Sequence, residues 1–444
     1  MSSDFIELIK NAGVVGAGGA GFPTHIKCCT KVDTLIVNGV ECEPLINVDR
    51  QLMEKHTAKL YEGLKIAVQS TGAKNVIIAL KSKNKQALKA LEEFEQGSIK
   101  FEIFKIGNFY PAGDEQVLVN EVTGKIVPEG GIPLNVGIVV INVETLINVA
   151  DAAQGHVLTK KYVTVNGEVY EPKTFLVPIG TPVMKLIEAC GGPTIADYGV
   201  IDGGPMTGKL VNPGEHAVTK TTKAILVLPE TNIVITQKKR AISTQMKRAQ
   251  AICLSCRMCT DLCPRYLLGH DLFPDELMKR MYKKEIDEDN ISNFDFAYLC
   301  CDCGLCELYS CVVDLSARSL FNYLKVELAK AGIKNPHHRD KLEVNEFREF
   351  RRVPVPRLLK RIEFDEYISH ADLTSEEIRP DEVKLFLLQH VGAPSLPVVK
   401  IGDNVLEGEL VADIPTDKLG AKIFSSIDGK VREINEKYII ISRN

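Results

Sequence analysis

Nine of the thirteen cysteines in this chain of 444 residues fall in two short runs, CLSCRMCTDLCP from Cys253 and CCDCGLCELYSC from Cys300. Cys253, Cys256, Cys259 and Cys263 follow C-x2-C-x2-C-x3-C, with Pro264 next. Cys300, Cys303, Cys306 and Cys311 follow C-x2-C-x2-C-x4-C, with Val312 where the first run has proline. Three thiolates at this step wrap one face of a cubane, and the fourth reaches the other cluster. Two [4Fe–4S] clusters with crossed ligands follow: Cys253, Cys256 and Cys259 with Cys311, and Cys300, Cys303 and Cys306 with Cys263. Structural zinc takes paired C-x2-C steps and has no use for a third cysteine at the same step. Cys301 could stand in for Cys300, but the spacing to Cys303 favours Cys300. Cys28, Cys29, Cys42 and Cys190 have no partner at metal spacing and read as buried thiols.

Composition places these thiols in a soluble protein. Apolar residues make up 45% and charged residues 25%, and the formal charge is −4. That balance argues against nucleic acid or an anionic membrane as partner. No uninterrupted apolar run reaches the eighteen residues a membrane span needs. MSSDFIELIKNAG lacks a basic segment followed by an apolar core, so no export signal is expected, and a reducing cytosol favours metal ligation over disulfides.

The length implies several cores. Leu35 to Asn38, Asn75 to Leu80 and Ile138 to Asn142 read as buried strands. Gln51 to Thr71 and Asn84 to Glu95 have helical spacing, so residues 1–157 read as an α/β domain. An Asn-Gly pair at 166 and 167 marks a hairpin, and with the helical stretch Val183 to Ala189 it gives a small β-rich domain over 158–235. Helical sequence carries the cysteine runs over 236–335. Residues 336–380 are charged and irregular and are expected to wrap another domain. Short strands over 381–444 predict a small β-barrel or sandwich. Lys430, after Asp428 and Gly429, reads as a plain turn residue.

Clusters take one electron at a time, so coupling them to a hydride donor requires a flavin between. GVVGAGGAGFPTHIK, from Gly13 to Lys27, matches G-x-G-x-x-G at Gly16, Gly18 and Gly21. A dinucleotide fingerprint must follow a strand and open a helix, whereas here a helical pattern precedes and Pro23 follows. What the loop offers is close backbone approach to a phosphate, with Lys27 adding charge. VNGVECEP, FYPAGDEQ and INVET then place Asn, Asp and Glu after strands or at turns, where their side chains can reach a ligand.

As a set, GAGGAGFPTHIK, NGVECEP followed by Asp49 and Arg50, YPAGDE and NVETL resemble the flavin-binding subunit of respiratory complex I. They resemble still more closely the matching subunit of the Rnf ferredoxin oxidoreductase. GGPMTGKL with VTKTTKAILVLP looks like the soluble-ligand-binding β-grasp (SLBB) region of those proteins. The motif Gln389-His390-Val391-Gly392-Ala393-Pro394 belongs to a barrel-sandwich segment that is N-terminal in the Rnf subunit and C-terminal here. That order, with PRYLLGHDL and RRVPVPRLLKRI, is similar to the cobalamin reductases of propanediol-utilisation microcompartments.

The resemblance implies a multidomain α+β protein: an α/β flavin domain, a β-grasp domain, a ferredoxin-like two-cluster domain and a C-terminal barrel-sandwich hybrid. It implies noncovalent FMN near Gly16, Gly18, Gly19 and Lys27, with Asn38, Asp114, Asn142 and Thr145 also on the cofactor. Glu41, Glu43 and Glu115, with Asp114, would border the nicotinamide of NADH. Ala17, Val40 and Ile141 stand where the complex I pattern has Arg, Asp and Asn. The implied activity is NADH-dependent reduction of cobalamin, in the cytoplasm inside a microcompartment. An adenosyltransferase, a shell protein and a second copy of the chain are the implied partners. The alternative is an Rnf-type subunit feeding a ferredoxin or another reductase, and a third reading is a shell-docking scaffold. Complete ligand sets at both clusters argue against a scaffold.

Overall fold

The computed structural model describes residues 2–283, 286, 290–367 and 370–443. Apolar runs over β1 (Thr34–Gly39), β2 (Asn75–Lys81), β3 (Glu102–Ile106) and β5 (Ile138–Asn142) form a fully parallel sheet in the order β3-β2-β1-β5, while β4 (Phe109–Tyr110) lies outside it. Helices cover both faces, as the near-continuous apolar strands require. The strand order reverses between β1 and β5, where Asn38 pairs in register with Asn142. Ligands of open α/β sheets bind outside the carboxyl ends of strands at such a switch point.

The helix expected over 51–71 is two helices, Val48–Lys55 and Thr57–Thr71, broken at His56. There the Thr57 hydroxyl donates to the Met53 carbonyl at 2.6 Å, a local bond that competes with the helix ladder. A helix, Ser2–Asn11, does precede the glycine loop, so the loop is not a strand-to-helix dinucleotide turn.

β6 (Lys160–Gly167), β7 (Lys173–Pro178), β8 (Tyr198–Asp202), β9 (Lys209–Val211) and β10 (Ala224–Pro229) form a second, mixed sheet under the helix Val183–Ala189. β6 and β7 are the expected hairpin, but Asn166-Gly167 is not its turn. Gly167 still belongs to β6 and pairs with Val227 of β10, so the connection runs over the residues that follow. The cysteine runs sit among short helices closed by the longer Ile242–Ile252, Pro274–Lys283 and Ala317–Lys330. Phe294, Leu320, Phe321 and Leu324 centre that core.

The segment after residue 335 does wrap. Glu129 N–H donates to Arg339 O at 3.0 Å, and Arg352 pairs with Glu121 at 2.7 Å. β11 (Val353–Pro354) adds to β4 and β12 (Asp372–Leu373) adds to β7, so the segment ties flavin domain to β-grasp sheet. The C-terminal strands form two packed sheets around Val383, Leu385, Val411, Ile439 and Ile441. Lys430 is not at a turn: it is a ladder residue of the strand Gly429–Ile434, opposite Asn404 and Ser442.

Candidate flavin and iron–sulfur site

The glycine loop lies across the carboxyl end of β5. Ala17 N–H donates to Thr145 Oγ1 at 2.9 Å, and Lys27 Nζ reaches Val140 O at 3.0 Å and Glu115 Oε1 at 2.7 Å. A Cβ on Gly18 would stand 2.7 Å from Asn142 Nδ2 and displace that carboxamide, while a Cβ on Gly19 would meet nothing within 4 Å. Asn38 joins the other wall, donating to Gly113 O at 2.9 Å. An ammonium, two carboxamides, a hydroxyl and an open glycine backbone at one switch point suit the phosphate and polyol of FMN. Ala17, Val40 and Ile141 are each buried, so the three departures from the complex I pattern fill the core beneath the site.

Under this loop Asp49 and Glu41, both named from the sequence, join a charged network with Lys223, Glu144 and Lys161 that the sequence did not mark. Asp49, nearly fully buried, accepts from Asn142 Nδ2 at 2.8 Å and pairs with Lys223 of the β-grasp domain at 2.5 Å. Behind it Glu144 and Lys161 form a fully buried ion pair. Burial would lower Lys223, but Asp49, Glu144 and Glu41 together hold it above the ordinary lysine range. Glu41 accepts from Asp49 N–H at 3.0 Å; burial, then the Asp49 charge, pushes its carboxyl up to about 7. Lys81, at the end of β2, is 2% exposed, and burial lowers it to about 8 despite Cys42, Glu41 and Glu43 nearby.

Two of the expected nicotinamide residues face the other domains. Asp114 caps the helix Glu115–Thr123 and holds Arg265 in a bidentate pair at 2.6 and 2.9 Å. Burial alone would raise Asp114, but the Arg265 guanidinium and the cap hold it below the usual carboxylate range. Arg265 stands two residues after Cys263, so this pair joins flavin domain to cluster domain. Glu43 accepts from Met206 and Thr207 N–H, both at 3.0 Å, and a Cβ on Gly204 would collide with its carboxylate. Tyr110 donates to Cys303 O at 2.7 Å and lies 3.3 Å from Glu43 Oε1.

Cys263, Cys300, Cys303 and Cys306 line one cavity together with Cys301, Arg318 and Phe321. Cys259 lies within electrostatic reach of Cys256 and Cys311. Cys306 also lies within reach of Cys259, so the two runs adjoin one another, and the crossed assignment stays an expectation. Ser255 and Arg257 in the first run, and Asp302 and Gly304 in the second, have φ of 51°, 65°, 61° and 76°. Residues before and after Cys256 and Cys303 are therefore left-handed, a conformation that gathers backbone N–H groups into an anion-binding concavity. Asp302 N–H already points at Cys300 Sγ, and Leu315 N–H at Cys311 Sγ, at 3.4 and 3.2 Å. Thiols and N–H donors so placed suit a sulfide-bridged cluster. Of the four cysteines read as buried thiols, Cys28 and Cys190 are buried and Cys42 is half-buried, but Cys29 is exposed.

Family models match four stretches of the chain: the Nuo51 FMN-binding domain over 9–151, the SLBB domain over 162–210, the 4Fe-4S dicluster domain over 252–316 and the RnfC barrel sandwich hybrid domain over 365–443. Cobalamin reductase PduS of Citrobacter freundii is 39% identical over 441 residues, covering 98% of this chain and 96% of its own. PduS of Salmonella typhimurium is 39% identical over 446 residues, covering 100% and 97%. The chain belongs to the PduS family.

A component of the Na(+)-translocating ferredoxin:NAD(+) oxidoreductase complex of Acetobacterium woodii is 35% identical over 274 residues, covering 60% of this chain and 59% of its own. The H2-reduced NAD+-reducing [NiFe]-hydrogenase shares the fold, with a TM-score of 0.50 and 21% identity over 76% of this chain and 64% of its own. In this PduS family member the barrel domain is C-terminal and grips the flavin loop through the motif at 389–394. Gln389 Oε1 accepts Lys220 N–H at 2.9 Å, and Val391 N–H donates to Gly21 O at 3.2 Å. Lys220 Nζ, fully buried, bridges Gly13 O at 2.7 Å and Lys422 O at 2.5 Å, stapling three domains. Among the described residues no helix is long and apolar enough to cross a membrane.

Proposed function

We propose that the chain oxidises NADH at FMN and delivers single electrons through two [4Fe–4S] clusters to cobalamin, first cobalt(III) and then cobalt(II). When bound, FMN supplies the conversion of a two-electron hydride into single electrons, and the clusters carry those electrons onward. The observation that carries the reading is Tyr110, whose hydroxyl bridges from beside Glu43 to the carbonyl of Cys303. The flavin domain thus touches a cluster ligand directly.

In this reading Lys27 and the backbone at Gly16 to Gly19 hold the phosphate, and Asn38, Asn142 and Thr145 orient the polyol and ring. Glu41 and Glu115 border the nicotinamide. Asp114 and Glu43 act through Arg265 and the Met206–Thr207 loop, fixing the distance between flavin and cluster. Cobalt(I) is a strong reductant beside NADH, so the second reduction requires altered cobalt coordination or immediate trapping by an adenosyltransferase. A shell protein, a microcompartment location and a homo-oligomer belong to the same proposal.

Anaerobic purification with flavin, iron and sulfide analysis, followed by NADH oxidation against cobalamin and against a one-electron dye, tests it. FMN with about eight irons and eight sulfides per chain is expected. About one zinc and no sulfide, or dye reduction without any cobalamin reduction, overturns it.

A further inference from the structure

The eight ligand cysteines are not equally accessible: Cys256 is exposed, and the other seven are buried or half-buried. Apolar side chains flank the same cluster set. Leu254 is 63% exposed, Met258 41%, and Val312, next to Cys311, 59%. The loop after Cys311 is also ringed by arginines. Arg361 donates to Cys311 O and Arg248 to Val313 O, both at 3.1 Å, and Arg240 donates to Asp314 O at 2.9 Å.

Arg361 has Asp314 as an ion partner at 2.8 Å. Among the described residues Arg240 and Arg248 form no salt bridge, and the Nε of Arg248 is buried without a hydrogen-bond partner. Burial, then the neighbouring charge of Arg248, lowers Arg240 from the usual arginine value, against the opposing pull of Asp314 and Glu307. Two arginines in no direct ion pair, beside an apolar surface and an accessible cysteine of the run, make a site for a large ligand that is apolar in one part and anionic in another.

We propose that the corrinoid acceptor docks over Cys256 and Val312, its macrocycle on Leu254, Met258 and Val312 and its nucleotide phosphodiester toward Arg240 and Arg248. This rests on the cobalamin reading above and deepens it. The set Cys263, Cys300, Cys303 and Cys306 is then the entry from the flavin, and the set Cys253, Cys256, Cys259 and Cys311 is the exit. The balance is one NADH and two cobalt(III) giving NAD+, one proton and two cobalt(II), one electron leaving at each docking.

The test uses the holoenzyme, a Leu254→Asp/Val312→Asp double variant, Arg248→Gln, and Leu406→Asp on the barrel as a control with a 68% exposed apolar side chain. Iron and flavin content, NADH bleaching of the cluster absorbance without acceptor, and reduction of cobalamin and of cobinamide (which lacks the nucleotide phosphodiester) are measured. The double variant is expected to keep its centres and their reduction by NADH, but to lose cobalamin reduction about tenfold or more. Arg248→Gln is expected to raise the KM for cobalamin about tenfold and to leave cobinamide unchanged. It carries the test alone if the double variant loses iron.

Equal cobalamin rates in parent and double variant, an equal loss in Leu406→Asp, or equal effects of Arg248→Gln on both corrinoids overturn the docking face. A parent that reduces dye but never cobalamin overturns the acceptor assignment itself, and is thereby told apart.

Discussion

Ser255 and Arg257 in one cysteine run and Asp302 and Gly304 in the other share the same left-handed backbone, yet the two runs live in opposite surroundings. Around Cys303 and Cys306 the flavin and β-grasp domains close in: Tyr110 sits on the Cys303 carbonyl, and Met206 O lies 3.1 Å from where a Gly304 Cβ would be. Around Cys256 there is solvent, with Leu254, Met258 and Val312 exposed. Similar ligand spacing thus yields one centre enclosed by the flavin domain and one at the surface. Direction comes from what packs on the ligands, since their spacing is nearly the same.

The largest expected effect breaks the enclosed side. Cys303→Ala should halve the iron to about four per chain and abolish cobalamin reduction, while a dye that takes electrons at FMN is still reduced. The companion changes sharpen the crossing: Cys263→Ala should remove the centre of the second run, and Cys311→Ala that of the first. Electron paramagnetic resonance of each variant reads this out. Loss of only the local centre in both would refute the crossed sets.

Next comes the joint that holds the enclosed side against the flavin. Arg265→Met leaves the half-buried Asp114 with only its backbone N–H donors, which should cost about 3 kcal/mol and slow NADH bleaching of the clusters. Arg265→Met with Asp114→Leu should recover much of that stability, because no buried charge is left alone. Denaturant midpoints followed by flavin fluorescence check both.

A third prediction concerns pH. Lys220 is held among carbonyls, and burial lowers its ammonium to about 7, whereas an unfolded lysine titrates at about 10.4. Between these values the unfolded chain carries a proton the folded chain lacks, so stability should rise with pH from about 7 to about 10. Below about 7 both states are charged and the slope vanishes. Lys220→Met should flatten the curve in that window, measured as unfolding midpoint against pH; an unchanged slope would show that Lys220 is not its source.

The smallest effect is local to the flavin loop. Lys27→Ala should weaken FMN about tenfold, equivalent to about 1.4 kcal/mol, because a phosphate loses one charge-assisted bond. Fluorescence titration of the flavin-free protein checks it, and unchanged affinity would place the Lys27 ammonium away from the phosphate.

What the sequence could show was what is encoded over short distances. Cluster ligation rests on steps of three residues, so the cysteine runs announced themselves. The strands at Leu35, Asn75 and Ile138 did too, because buried parallel strands are continuous apolar runs. The Asn-Gly pair misled because its turn propensity was overridden by pairing with β10, a contact from sixty residues away. Lys223, Lys161 and Arg265 gave no local signal, since each acquires its role from a carboxylate on another domain: Asp49, Glu144 and Asp114.

The two cysteine runs and the short strands of the C-terminal barrel were legible because each is a contiguous pattern, whereas the flavin site was legible only as a set of four separated motifs that together resemble a known family. That Asp114 and Glu43 join the flavin domain to its neighbours followed from packing between domains, which no local pattern encodes. Packing also set the staple from the barrel to the glycine loop through Lys220, and left Cys256 as the one exposed ligand cysteine of the eight. These are matters of burial and charge pairing between segments over a hundred residues apart, and such energies exist only once the chain has packed.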